Sequence, residues 1–308
     1  MKLAVEFPSV MYREGPEAVA RLATAIEEIG FDQLDIFDHV VMGHPTEDRN
    51  ESPYPPLMPI LEALMTLSYF AAVTKTIGLG TEVLVLPQRQ PVLVAKQIST
   101  LDTLSGGRVR FGVGVGWQKS EYQALGVDFH RRGTRMNEII GFLRTCWSED
   151  PIEFTGDDFE ARTIAMEPKP PQGAGIPIWV GGESDVALRR VGTLGDGWLA
   201  VRAGQDLAAA TKKIATIKRY AEEAGRDPRR LGFQSQVSPP PQKGSNAVLD
   251  LYSRPEQVAA SAAAIRDAGF GWAAVNGTGL FQAGARSVDR MIDALAELHD
   301  CLRAEVGT

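Results

Sequence analysis

Thr76-Ile77-Gly78-Leu79-Gly80-Thr81-Glu82-Val83-Leu84-Val85-Leu86-Pro87, then a helical segment, then Val109-Arg110-Phe111-Gly112-Val113-Gly114-Val115-Gly116-Trp117 form the stretch that decides the fold. The first run is too β-branched and too continuously apolar for a solvated hairpin arm, so it reads as a strand buried on both faces. Pro87 and Pro91 close it. Val94, Ile98, Leu101 and Leu104 keep helical spacing until Gly106-Gly107 supplies a left-handed cap. The second run reads as another buried strand, nearly bare of side chains at its end before Trp117 and the polar Gln118-Lys119-Ser120-Glu121. Bare backbone at a strand's carboxyl end suits a flat ligand that comes close. Glu82, late in an apolar strand, points to the same end of the sheet.

Outward from this unit the alternation repeats. Leu3 to Phe7 reads as a strand, and Pro16 to Ile29 as a helix with Val19, Leu22, Ile26 and Ile29 on one face. Leu34 to Phe37 is the next strand, leading into Asp38-His39, a proline-rich polar loop from His44, and a helix from about Leu57 to Val73. After Trp117 comes an excursion at about 118–175, with a helix striped by Met136, Ile139, Ile140, Leu143 and Trp147 and a short hairpin within Ile152 to Met166. Strands resume at Ile176 to Val180, Gly197 to Val201, Leu231 to Gln236 and Trp272 to Val275, each followed by a helix. Eight strands and eight helices in strict alternation, with no doubled helix and no linker, predict an α/β chain forming a single (β/α)8 TIM barrel domain over 1–308. Insertions are expected at its carboxyl face. A doubly wound open sheet is the alternative.

Composition narrows the function. A chain of 308 residues, 44% hydrophobic, can bury one large core, and its net charge of -7 disfavours nucleic acid and anionic membranes as partners. Cys146 and Cys301 form no CxxC pair, so neither a disulfide framework nor a metal site is expected. Met1-Lys2 runs straight into a strand that contains Glu6, and the apolar stretch Leu57 to Val73 is interrupted by Pro59 and Glu62. A cytoplasmic protein is therefore expected.

In a barrel of this kind chemistry sits at the carboxyl ends of the strands. That rule selects Asp38-His39, Glu82-Val83, Gly114 to Trp117, and Gly181-Gly182-Glu183-Ser184. The last combines glycine backbone with Ser184 at a helix start, a seat for a phosphate or simply a serine-capped helix. Gly112-Val113-Gly114-Val115-Gly116 is no dinucleotide fingerprint, because the third glycine would fall on Trp117. His39 is the first candidate acid or base and Glu82 the second. Arg189 and Arg190 read as a solvated helix face, one of which could approach a phosphate. The loops His44 to Pro59 and Ser238 to Gly244 are expected to hang over the mouth.

Phe37-Asp38-His39, Leu79 to Pro87, Ala95-Lys96-Gln97, Leu101 to Arg108, Gly112 to Trp117, Pro168-Lys169-Pro170, Gly181 to Ser184 and Gly195-Asp196-Gly197-Trp198 together carry a resemblance over nearly the whole chain. The sequence resembles the luciferase-like flavin enzymes, and within them the coenzyme F420-dependent oxidoreductases. The resemblance implies a barrel, often a homodimer, holding a flavin or deazaflavin across the strand ends. It also implies a non-prolyl cis peptide at Glu82-Val83. Asp38, His39, Glu82, Val83, Gly114, Gly116 and Trp117 would then surround the ring, and Gly181, Gly182, Glu183 and Ser184 the phosphate.

Two departures bear on the cofactor. Bacterial luciferases of this superfamily place an arginine for the FMN phosphate where this chain has Val115, which disfavours FMN. Deazaflavin-dependent sugar-phosphate dehydrogenases carry a glutamate proton donor where this chain has Trp117, which disfavours that substrate class. The expected activity is F420-dependent hydride transfer to or from a small organic substrate. The alternatives are an FMN-dependent monooxygenase, served by a flavin or F420 reductase, and a flavin-binding protein without turnover.

Overall fold

The structure is a computed structural model that describes residues 1–47, 54–201, 203–239 and 246–307. Its strands in chain order are β1 (Lys2–Glu6), β2 (Gln33–Ile36), β3 (Gly78–Thr81), β4 (Leu84–Val85), β5 (Val109–Gly114), β6 (Ile152–Thr155), β7 (Glu160–Ile164), β8 (Ile178–Gly181), β9 (Gly197–Ala200), β10 (Gly232–Gln236) and β11 (Trp272–Asn276). The order β3-β2-β1-β11-β10-β9-β8-β5, with β3 paired again to β5, closes eight parallel strands into a TIM barrel. β4 adds a short extra pairing to β5, and β6 and β7 form the separate antiparallel hairpin expected in the excursion.

Helix ends follow the local chemistry. Pro16–Ile29 and Pro91–Ser105 both open on proline, and Gly106, at φ 69°, ends the second in the left-handed region that glycine favours. Val19, Leu22 and Ile26 on the first, and Val94, Ile98 and Leu101 on the second, are buried. Cys146 and Cys301 lie on helices and are free. Among the described residues no helix is long and apolar enough to cross a membrane.

Four expectations need correction. The run Ile77 to Leu86 is not one strand, because it breaks at a cis Glu82-Val83 bond and resumes as β4. β5 stops at Gly114 rather than Trp117, as the chain turns at Gly116 with φ 68°. The second helix starts at Ala63, where the Glu62 carboxylate accepts from Met65 N at 2.7 Å and sets the first turn. Helices are also doubled: Ala247–Tyr252 precedes Pro255–Asp267, and Gly277–Gln282 precedes Val288–Val306. The added pieces are six residues long, too short to display a helical period in sequence.

The barrel bore is polar and aromatic rather than aliphatic. The Arg110 guanidinium lies 4.6 Å from the ring centres of both Trp179 and Trp272 and pairs with Asp35 at 2.5 Å. Room for Trp179 comes from two facing glycines: a Cβ at Gly232 would fall 2.1 Å from its ring, and one at Gly197 2.4 Å. Gly232→Ala should therefore lower stability by about 1–3 kcal/mol, the cost of overpacking a rigid core site. Urea unfolding checks this, and an unchanged midpoint would show that Trp179 is free to move.

Candidate active site

Glu82 and Val83 stand at the carboxyl end of β3, joined by the cis bond that the resemblance implied. A Cβ on Gly114 would fall 2.5 Å from Val83 Cγ2, and one on Gly181 3.1 Å from Val83 Cγ1. The bare ends of β5 and β8 thus admit the Val83 isopropyl group. The glycines are spent on Val83, not on direct approach to a ligand, and the turned backbone at Glu82-Val83 becomes a shelf across the barrel mouth. Gly116 makes similar room for Val85, since a Cβ there would fall 2.5 Å from Val85 Cγ1.

Beside the shelf lies His39, buried and joined through Nδ1 to Glu121 Oε2 at 3.1 Å. Glu121 Oε1 accepts from Val40 N at 2.6 Å, and Oε2 also accepts from Gln88 Nε2 at 3.1 Å. Burial alone would raise the Glu121 carboxyl, but the hydrogen bonds from His39, Gln88 and Val40 outweigh it and hold the group below its ordinary value. An anion fixed at Nδ1 orients the ring. His39 Nε2 makes no hydrogen bond among the described residues. Asp38 plays no part in that contact: its carboxylate takes Arg89 at 2.5 Å and Val85 N at 3.0 Å, tying β2 to β4. Burial nonetheless raises Asp38, against the pull of Arg89.

Glu82 forms the floor with Glu6 and Asp35. Burial, then the charges of Asp35 and Glu6, raise Glu82 well above its ordinary value, with Arg110 and Gln234 opposing. Burial and Asp35 likewise push Glu6 up to about 8. Glu82 Oε2 accepts from Gln234 at 2.8 Å while Oε1 is buried without a partner among the described residues. Glu6 and Glu82 line a pocket of about 260 Å³ with Phe37, Tyr54, Met58 and Gln236. The first expected lid therefore reaches the mouth at Tyr54, Pro55 and Met58, whereas residues 48–53 of that lid and 240–244 of the second lie outside the described residues. Trp117 stands at the rim, 44% exposed, its ring 5.5 Å from that of His39.

The Gly181 to Ser184 turn is a capped helix start. Ser184 Oγ accepts from Ala187 N at 3.3 Å, Gly182 has φ 118°, and the Glu183 carboxylate pairs with Lys213 at 2.8 Å. Gly182, Ser184 and Asp185 are exposed, so the turn is open to a ligand, with Lys213 as its nearby cation. Arg190 is not solvated as expected. It is buried, and its guanidinium is held by Asn137 at 2.5 Å and Gly133 O at 3.1 Å.

The family model described as luciferase-like monooxygenase matches residues 3–308. The chain belongs to that family. It is 37% identical over 213 residues to an uncharacterized protein of Mycobacterium tuberculosis, covering 67% of this chain and 72% of that one. It is 29% identical over 227 residues to an F420-dependent glucose-6-phosphate dehydrogenase of Amycolatopsis mediterranei, covering 72% and 64%. Among solved structures, monooxygenase RslO1 of Streptomyces bottropensis superposes with a TM-score of 0.75 at 18% identity, over 99% of both chains.

Within this luciferase-like barrel, sequence reading missed two residues. Glu121 was placed only in a polar segment, because its partner lies 82 residues away. Glu6 does carry a signal in the sequence, a carboxylate inside an apolar strand. Folded Glu6 keeps its proton to about pH 8, while the unfolded chain loses it near 4.5, so between those values the native state binds more protons and stability falls as pH rises. Glu6→Gln removes that slope. Relative to wild type, the variant should gain melting temperature between about pH 5.5 and pH 8, an interval inside that window. An equal difference at both pH values would mean that Glu6 is ionised in the fold.

Proposed function

We propose that this luciferase-like oxidoreductase uses coenzyme F420 to move hydride to or from a small organic substrate. The observation that carries the reading is His39, oriented by an anionic Glu121 beside the Val83 shelf, with its Nε2 left for chemistry. The Amycolatopsis relative, named as F420-dependent, supports the choice of cofactor. The residues fit a flat ring: the shelf offers backbone, His39 and Trp117 offer ring edges, and Gly182 to Ser184 with Lys213 offer an open turn for phosphate.

A bound deazaflavin would supply or accept the hydride. The chain supplies the rest. His39, Glu82, Val83 and Trp117 would position the ring, Asp38, Gly114, Gly116 and Gly181 acting through the Val83 and Val85 segment they seat, and Gly182, Glu183 and Ser184 would hold its phosphate. His39 is the acid or base, its Nδ1–H fixed on Glu121 so that Nε2 accepts or returns a proton at the substrate. Glu82, its carboxyl raised well above its ordinary value by burial and then by Asp35 and Glu6, is the second donor. The same reading takes the enzyme as a homodimer, supported by Met65, Tyr69, Val92 and Leu93, exposed on neighbouring helices. The family description as monooxygenase favours a second reading, reduced FMN with oxygen, delivered by a separate reductase.

Direct titration separates the two. F420 should bind at least about tenfold more tightly than FMN, because Val115 offers no charge to the FMN phosphate. Equal or tighter FMN binding would transfer the assignment to the monooxygenase. His39→Ala should lower turnover by about 100-fold while changing F420 affinity little, since a proton-transfer group acts chiefly in the transition state. Unchanged turnover in that variant would remove His39 from the chemistry, and no consumption of reduced cofactor with any acceptor would leave a binding protein.

A further inference from the structure

At the opposite end of the barrel from the mouth, a larger cavity of about 710 Å³ opens between the starts of β8, β9 and β10. Its walls include Trp179, Pro177 and Leu231, and its polar lining is Arg144, Arg226, Arg230, Asp196 and Asp227. The charges do not balance. Asp196 is already used by Arg144 at 2.6 Å, Arg226 at 3.3 Å and Ile178 N at 2.9 Å. Asp227 is used by the neighbouring Arg229, which grips both its oxygens, at 2.9 Å through Nε and 2.9 Å through Nη2. Three arginines and two aspartates thus line the cavity, with Asp227 already met by Arg229 from outside it, in a chain whose overall charge is negative. Among the described residues the Arg230 guanidinium makes no hydrogen bond or ion pair. Burial, and then the charges of Arg144 and Arg230, pull Arg226 below its ordinary value against the opposing effect of Asp196.

A cationic cavity with a free guanidinium fork and an apolar wall selects a small anion of two charges. Tetrahedral phosphate oxygens match the fork, and the space beyond it, beside Trp179 and Leu231, exceeds what a bare phosphate fills. We propose that this cavity is a second binding site, which takes a small molecule bearing a phosphate monoester. It lies away from the strand ends that hold the candidate active site, so its occupant does not compete with the cofactor.

Isothermal titration with inorganic phosphate and with phenyl phosphate, at fixed ionic strength, tests the proposal. Both should bind saturably in the millimolar range or better, phenyl phosphate the more tightly. Arg230→Glu should weaken phenyl phosphate by at least about tenfold, with Arg230→Lys intermediate, because a point charge replaces a fork. Arg230 is exposed and its side chain is unpartnered, so the fold survives, and unchanged melting temperature without phosphate confirms it. Equal affinity for the two probes would assign the site to free phosphate. Absence of saturable binding, or binding indifferent to Arg230→Glu, would overturn the proposal.

Discussion

Among the described residues one guanidinium inside the barrel, Arg110, faces the carboxyl groups of Asp35, Glu6 and Glu82, and the organisation of the molecule depends on how that imbalance is met. Arg110 pairs with Asp35 at 2.5 Å while Trp179 and Trp272 cover its faces. Removing either partner of a buried pair leaves an uncompensated charge, so the pair fixes the base of the bore. Among the described residues Glu6 and Glu82 have no second cation, and burial with the neighbouring carboxylates raises both above their ordinary values.

The same bore explains the shape of the mouth. Glycines along the strands do two jobs: at Gly197 and Gly232 they admit Trp179 low in the barrel, and at Gly114 and Gly181 they admit Val83 at the top. With Val83 turned inward, the backbone at Glu82-Val83 faces outward across the strand ends. His39 is set beside it from β2, and Glu121, delivered by the chain after β5, holds the imidazole from behind. Two successive strands and the short helix Lys119–Ala124 thus meet at His39.

What was legible in the sequence follows from which forces are local. Ile77 to Thr81 and Val109 to Gly114 declared themselves as barrel strands because burial on both faces leaves an unbroken apolar run. Pro16, Pro91 and Gly106 marked helix ends through their own backbone limits. The strand-end rule named His39 and Glu82, and family resemblance named the cis bond between Glu82 and Val83. The pairing of His39 with Glu121, the seating of Trp179 on Gly197 and Gly232, and the burial of Arg190 against Asn137 involve partners far apart in the chain. No periodicity records such contacts. Gly114 and Gly181 were rightly marked as special, but the group they admit is a side chain of the protein itself.

The account's central claim is that the Val83 shelf and His39 form one site for a flat, hydride-carrying ring. A crystal structure of the complex with oxidised F420 tests it most directly. The account predicts one face of the ring packed on the Glu82-Val83 backbone, with His39 Nε2 within hydrogen-bond reach of a substrate placed on the other face. A ring bound away from Val83, or one that leaves His39 beyond that reach, would contradict it.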